Sequence, residues 1–352
     1  MSMDFIRLLQ ETIGRLLGYI FRFLRIKRIE DKVSKLQKVI TKSEQECYKR
    51  NVNHENLHRI PLLQFNEKIA IADDFYINTK IVTFTKTMAK LTGLIYTSGG
   101  GGTCFLQKIR RLVDEAGNST GRAVFTFTTA YHVFGAEDKL LLDWITYKTK
   151  VILFYDERIE DFFNEKKCPR LKECRLLDTD KEEGIENDWC AIECEVDCSK
   201  VFVTNNQEKN LVDTLESCLQ IYKTQQKEIY ELLTNNTIRK NLVIIVGHPH
   251  YRPKQVSVGR HYPSLKDEPK KVRSGQLWCR YYYDAPTCIG NSGSPVFIPG
   301  QPIAGFGYWF GHQHNHKRNV PENLFPDKYE IARKETPKLQ FLGMSSIGVE
   351  LC

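Results

Sequence analysis

The apolar start of this 352-residue chain lacks a run long enough to cross a bilayer. Between residues 1 and 28 the longest uncharged stretch in the middle is Leu16 to Phe21, against the roughly 20 residues that a spanning helix needs. No secretory signal is expected there, because Arg7, Glu11 and Arg15 interrupt the apolar stretch. The eleven cysteines are odd in number and follow no framework spacing. The thiols are therefore expected to be reduced and the protein cytoplasmic, which makes the sequons at Asn118 and Asn235 chance matches. A strong charge excess is absent too: the net charge of +8 is mild and, outside the N-terminus, dispersed. No nucleic-acid partner is expected. No internal repeat is visible.

What is present fits two packed units with an appendage. Residues 1–50 read as an amphipathic helical extension. Ile6, Leu9, Ile13, Leu16, Ile20 and Phe23 recur at steps of three and four, and Ile29, Val33, Leu36 and Ile40 resume after a phase slip. Six basic and two acidic residues in positions 1–28 allow contact with an acidic membrane surface. Heptad-like spacing favours a coiled coil, a partner helix, a homo-oligomer or packing on the chain's own globular part. Residues 51–80 form a connector without a clear period. From 81 the texture turns to short β-rich runs: Ile81 to Thr85, Gly93 to Thr97, Ala123 to Thr128 and Lys150 to Tyr155. Asp156 to Asn187 reads as surface loops. Leu211 to Leu233, within a 206–240 linker, has a charged helical pattern with one apolar stripe. Strands resume at Leu242 to Val246 and continue through Leu277 to Tyr283, Val296 to Ile298 and Ile303 to Gly307.

The chemistry gathers in three runs. Gly290-Asn291-Ser292-Gly293-Ser294-Pro295-Val296 puts a serine between glycines before a strand-like segment. A tight turn of this kind exposes a hydroxyl and can aim successive backbone N–H groups at one oxyanion. Alone it is also an ordinary hairpin turn. It gains weight from His132, 160 residues earlier, which follows the apolar strand Ala123 to Phe127 within Thr128-Thr129-Ala130-Tyr131-His132-Val133. In a β-rich setting that histidine could be a satisfied core residue, but its place in Thr-Ala-Tyr-His-Val after a strand favours the base. Asp188 heads a third run, in which Cys190, Ile192, Cys194 and Val196 alternate with Trp189, Ala191, Glu193 and Glu195. Asp143, Asp156, Asp161, Asp178 and Asp180 also lie between the histidine and the serine. The chain order His, Asp, Ser, with separations of 56 and 104 residues, is that of one known triad arrangement.

With these runs, Ser98-Gly99-Gly100-Gly101-Gly102-Thr103-Cys104-Phe105-Leu106 and Val246-Gly247-His248-Pro249, the chain resembles the chymotrypsin-fold serine peptidases. Within them it is most similar to the HtrA-type and glutamyl-endopeptidase-like branch, over most of the chain after about residue 80. The resemblance implies a mainly β fold: two antiparallel six-stranded-type β-barrels, 81–205 and 241–352, with the N-terminal helical extension and a helix between the barrels. It implies catalytic roles for Ser292 (nucleophile), His132 (general base) and Asp188 (orienting carboxylate). It implies an oxyanion hole from the N–H groups of Gly290 and Ser292, and a substrate pocket with Pro286 at its base and Gly307, Tyr308 and Trp309 as a wall. Phe310 replaces a small residue at the pocket entrance. Nothing acidic stands at the base and the family's glutamate-reading histidine near Gly307 is missing, so small or apolar side chains are expected. Asn291 stands where trypsin-like zymogens carry an aspartate, so activation by an N-terminal salt bridge is not expected. Val133 follows His132 where secreted relatives have a disulfide.

Two histidine alternations, His312-His314-His316 and His248-His250, invite a metal reading, but their setting reads as exposed loop. Cys190, Cys194 and Cys198 read as small apolar core residues. The expectation is a serine endopeptidase acting on polypeptides without cofactor or metal. The alternative is a catalytically idle protease-like domain or scaffold, recruited by its N-terminal helix.

Overall fold

The computed structural model describes residues 27–47, 59–66, 79–97, 100–134, 149–177, 189–234, 242–260, 270–273, 276–278, 280–283, 285–298, 312–315 and 343–346. The first apolar stripe, Ile6 to Phe23, lies outside them. The second forms helix α1 (27–47), along which burial increases: Ile29 is exposed, Val33 and Leu36 are half-buried, and Ile40, Ser43 and Cys47 are buried. The C-terminal half of α1 thus packs on its own chain. Among the described residues no helix is long and apolar enough to cross a membrane.

Helix α2 (Thr79–Leu91) corrects the strand expected at Ile81 to Thr85. The β-branched run is accommodated because threonine hydroxyls donate to carbonyls one turn back: Thr83 to Thr79, Thr85 to Ile81 and Thr87 to Thr83 at 2.9, 2.8 and 3.1 Å. Ile81, Phe84, Thr85, Met88 and Leu91 form a buried helical stripe. Tertiary packing decides the rest. The Phe84 ring lies 5.1 Å from that of Tyr222 and 4.3 Å from that of Phe297, contacts that add to the large apolar area an aromatic ring buries.

After the short strand β1 (Arg59–Pro61), seven strands build the first sheet: β2 (Thr92–Tyr96), β3 (Gly101–Val113), β4 (Ser119–Ala130), β5 (Lys150–Leu153), β6 (Arg170–Leu171), β7 (Arg175–Leu176) and β8 (Trp189–Asp197). Its order is β6-β5-β2-β3-β4-β8-β7, antiparallel throughout. A hairpin, β9 (Val201–Thr204) and β10 (Gln207–Asn210), leads into helix α3 (Leu211–Thr234). Asn210 caps this helix, its Oδ1 accepting the Asp213 N–H at 3.0 Å. Leu211, Leu215, Cys218, Tyr222 and Ile229 form the stripe by which α3 joins the core.

The second sheet takes β11 (Leu242–Gly247) and β12 (Gln255–Arg260). Beyond the separate pair β13 (Lys270–Arg273) and β14 (Gln276–Trp278), it adds β15 (Arg280–Tyr283), β16 (Pro295–Phe297), β17 (His312–Asn315) and β18 (Gly343–Ser346). Its order is β1-β12-β11-β16-β17-β18-β15. The six-stranded closed barrel is therefore not what is seen. Each sheet has seven strands, and among the described residues its first and last strands do not pair. The edges β6 and β7 are two residues long, which offers too few ladder hydrogen bonds to close a ring.

Residues from both sheets share one apolar core with α2 and α3. A buried ion pair also links the halves: Lys254 Nζ, with no exposed side-chain surface, lies 2.8 Å from Asp156 Oδ1. The expectation that all thiols are reduced is corrected at one place. Cys174 and Cys194 form a disulfide, because the β7–β8 register Arg175↔Glu193 sets the two cysteines across from each other. Cys190 is fully buried as expected, and Cys198 is half-exposed.

Candidate active site

The nucleophile turn takes its shape from its glycines. Gly290 and Gly293 have φ of +96° and +85°, the left-handed region that disfavours any Cβ. Space forbids one as well. A Cβ on Gly290 would lie 2.3 Å from the His248 carbonyl oxygen, and one on Gly293 would lie 2.0 Å from that of Thr103. Within the turn the Asn291 N–H donates to the Cys288 carbonyl and the Ser294 N–H to that of Asn291, both at 2.9 Å. Among the described residues the N–H groups of Gly290 and Ser292 have no acceptor. They remain available to an oxyanion, where each such donor is worth on the order of 3 kcal/mol.

The first sheet brings the histidine. Strand β4 ends at Ala130 and runs straight into the 3-10 turn Tyr131–Phe134. From there His132 Nε2 reaches Ser292 Oγ at 2.7 Å. His132 is exposed, while Ser292 is 5% exposed. A base open to solvent over a nearly buried hydroxyl can both take and return a proton during a reaction.

Asp188 lies outside the described residues. The next residue, Trp189, opens β8 and pairs with Ala130, two positions before His132. Two rival carboxylates are committed elsewhere: Asp156 to Lys254, and Asp161 to Lys167 at 3.1 Å. Asp143, Asp178 and Asp180 are outside the described residues. Pro286 is buried, in the stretch that enters the turn. Gly307, Tyr308, Trp309 and Phe310 are outside the described residues.

Sequence reasoning gave no role to Thr103, which couples the two sheets beneath the nucleophile. Its N–H donates to the Ser292 carbonyl at 2.7 Å. Its hydroxyl donates to the Gly290 carbonyl at 2.8 Å and accepts the His248 N–H at 3.1 Å. The only signal was its place after the glycine run on a strand. Thr103→Val keeps the shape and removes the hydroxyl, leaving a buried carbonyl and a buried N–H unpaired at roughly 1–3 kcal/mol each. Denaturant unfolding is expected to show a loss of about 3 kcal/mol. An unchanged midpoint would contradict the coupling.

His248 is likewise buried rather than in an exposed loop. Its Nδ1–H donates to the Arg252 carbonyl at 2.9 Å, and its ring stacks on Tyr155 at 5.7 Å. Burial first, and the nearby Lys254 charge second, push its pKa down to about 3. The unfolded chain then takes up a proton below about pH 6.5 that the native state refuses, so stability falls as the pH drops from about 6.5 toward 3. In that window wild type is expected to lose up to about 1.4 kcal/mol more per pH unit than His248→Gln. Parallel curves of unfolding free energy against pH would contradict it.

His312 and His314 also depart from the loop reading, since both lie in strand β17; His316 is outside the described residues. Among the described residues one set could hold a metal: ligand atoms of Cys47, His250 and Cys288 lie within 4.8 Å of one another.

No protein-family model matches the sequence, and no curated protein matches it significantly. Among solved structures the chain is similar to Deg5 (14% identity, 66% of this chain and 90% of that one, TM-score 0.34). It is also similar to the MamO protease domain of Magnetospirillum magneticum (8% identity, 75% and 94%, TM-score 0.35). A third such structure is the HtrA-type protease AlgW with a tripeptide (12% identity, 74% and 57%, TM-score 0.34).

Proposed function

We propose that the protein is a serine endopeptidase, with the two open sheets as the halves of a two-barrel, chymotrypsin-type architecture. The observation that carries this reading is the 2.7 Å contact of His132 Nε2 with Ser292 Oγ, in a turn whose Gly290 and Ser292 N–H groups have no acceptor among the described residues. Ser292 Oγ attacks the scissile carbonyl carbon as its proton passes to His132 Nε2. The two N–H groups hold the oxyanion. His132 then protonates the leaving amine, the C–N bond breaks, and water hydrolyses the acyl-enzyme by the reverse proton route. Asp188 is assigned to orient the imidazole. The commitment of Asp156 and Asp161 to lysines supports that choice, as does the Ala130↔Trp189 pairing.

The partner implied is a polypeptide. With Pro286 rather than an acid at the pocket base, small or apolar side chains are proposed to be preferred. The extension before residue 50 is assigned to docking or self-association. An ester with a chromogenic leaving group tests the acyl-enzyme. The expected result is an initial burst of about one leaving group per chain, followed by slower turnover. A protein that shows neither burst nor turnover on esters and peptides alike would favour an idle, peptide-binding domain.

A further inference from the structure

The C-terminal end of α1 meets the β11–β12 loop through a polar face and, through Cys47, the loop that carries the nucleophile. Glu44 pairs with Arg252 at 2.7 Å, and Ser43 Oγ lies 3.0 Å from His250 Nδ1. Cys47 Sγ lies 3.5 Å from Cys288 Sγ. Cys47, His250 and Cys288 are 3%, 1% and 0% exposed, and each comes from a different part of the chain. Two sulfurs and an imidazole nitrogen gathered in one buried spot fill it less well than apolar side chains would, because polar groups are desolvated there. They are, however, the borderline-soft donors that zinc prefers.

The separation of the two sulfurs agrees. The sulfurs are well beyond the roughly 2.05 Å of a disulfide bond. They are close to the edge of about 3.8 Å that a tetrahedron with Zn–S bonds of about 2.3 Å requires. The Ser43 hydroxyl on the ring is the kind of outer partner that fixes a ligating histidine. His250 itself holds φ +54°, a conformation that persists where its surroundings impose it.

We propose that Cys47, His250 and Cys288 bind one zinc ion, which clamps the N-terminal helix onto the nucleophile loop. Binding exchanges the two thiol protons, released to solvent, for two Zn–S bonds; no electron is transferred. The clamp sits one hydrogen bond from the active turn. The Cys288 carbonyl accepts the Asn291 N–H at 2.9 Å, and the His250 N–H donates to the Ile289 carbonyl at 2.6 Å.

The test uses the full chain, purified without air and supplied with zinc alone, then with cobalt as a spectroscopic stand-in. About one zinc per chain is expected after gel filtration, together with a thiolate-to-cobalt charge-transfer band. Cys47→Ser and Cys288→Ser are expected to weaken zinc at least a hundredfold, and Ser43→Ala by about 10–100-fold. Cys198→Ser, outside the cluster, should bind like wild type. Should Cys288→Ser fail to fold by circular dichroism, Cys47→Ser and the wild-type cobalt spectrum still decide. Substoichiometric zinc in the wild type would overturn the proposal. So would equal binding by the cysteine variants, or a Cys47–Cys288 disulfide mapped in the air-free protein. None of these readouts depends on peptide hydrolysis.

Discussion

Replacing His132 by alanine is expected to lower kcat for peptide hydrolysis by about a millionfold, with little change in fold. The size follows from the chemistry. A serine hydroxyl is barely nucleophilic at neutral pH, and His132 Nε2, at 2.7 Å, is positioned to take its proton as the new bond forms. The fold should survive because His132 is exposed, so its truncation opens no core cavity. Ser292→Ala should cost about as much, and the double variant little more, since the two act as one unit. Single-turnover rates on a peptide, with circular dichroism as the folding control, check this. A loss smaller than about tenfold for His132→Ala would mean that another group activates the serine.

Asp188→Asn is expected to lower kcat by about ten-thousandfold while KM stays nearly constant. An amide in that place that donates its NH2 to Nδ1 holds the imidazole in the tautomer with Nε2 protonated, and a protonated Nε2 cannot accept the serine proton. The expectation is specific because the described rivals have other duties. Asp156 neutralises the buried Lys254, and Asp161 pairs with Lys167. Asp161→Asn should therefore leave kcat within about tenfold of wild type. Asp156→Asn should destabilise the protein, because it leaves a buried ammonium uncompensated. Comparable kcat losses for Asp161→Asn and Asp188→Asn would overturn the assignment.

The turn at Ser292 was readable in the sequence because its demands are local. Two left-handed positions and two close backbone approaches require glycine, and Gly290 and Gly293 supply it. Strand β8 was readable because its period-two alternation puts Cys190, Ile192, Cys194 and Val196 into the core and leaves Glu195 exposed, although Ala191 on that second face is buried too. Helix α2 was not: Ile81 to Thr85 reads as a strand locally. Packing of Phe84 against Tyr222 and Phe297, residues 138 and 213 positions away, overrides that preference. The same non-locality hid Thr103, whose partners Gly290 and Ser292 lie nearly 190 residues off. It also hid the meeting of Cys47 with His250 and Cys288, since no spacing within one segment announces it.

Labelling of the purified protein with a fluorophosphonate probe tests the account most directly, beside Ser292→Ala and His132→Ala. One labelled site is expected, mapped to Ser292, with labelling abolished in the first variant and slowed by orders of magnitude in the second. Well-folded wild-type protein that does not react, or that reacts equally without His132, would contradict an activated serine in this turn.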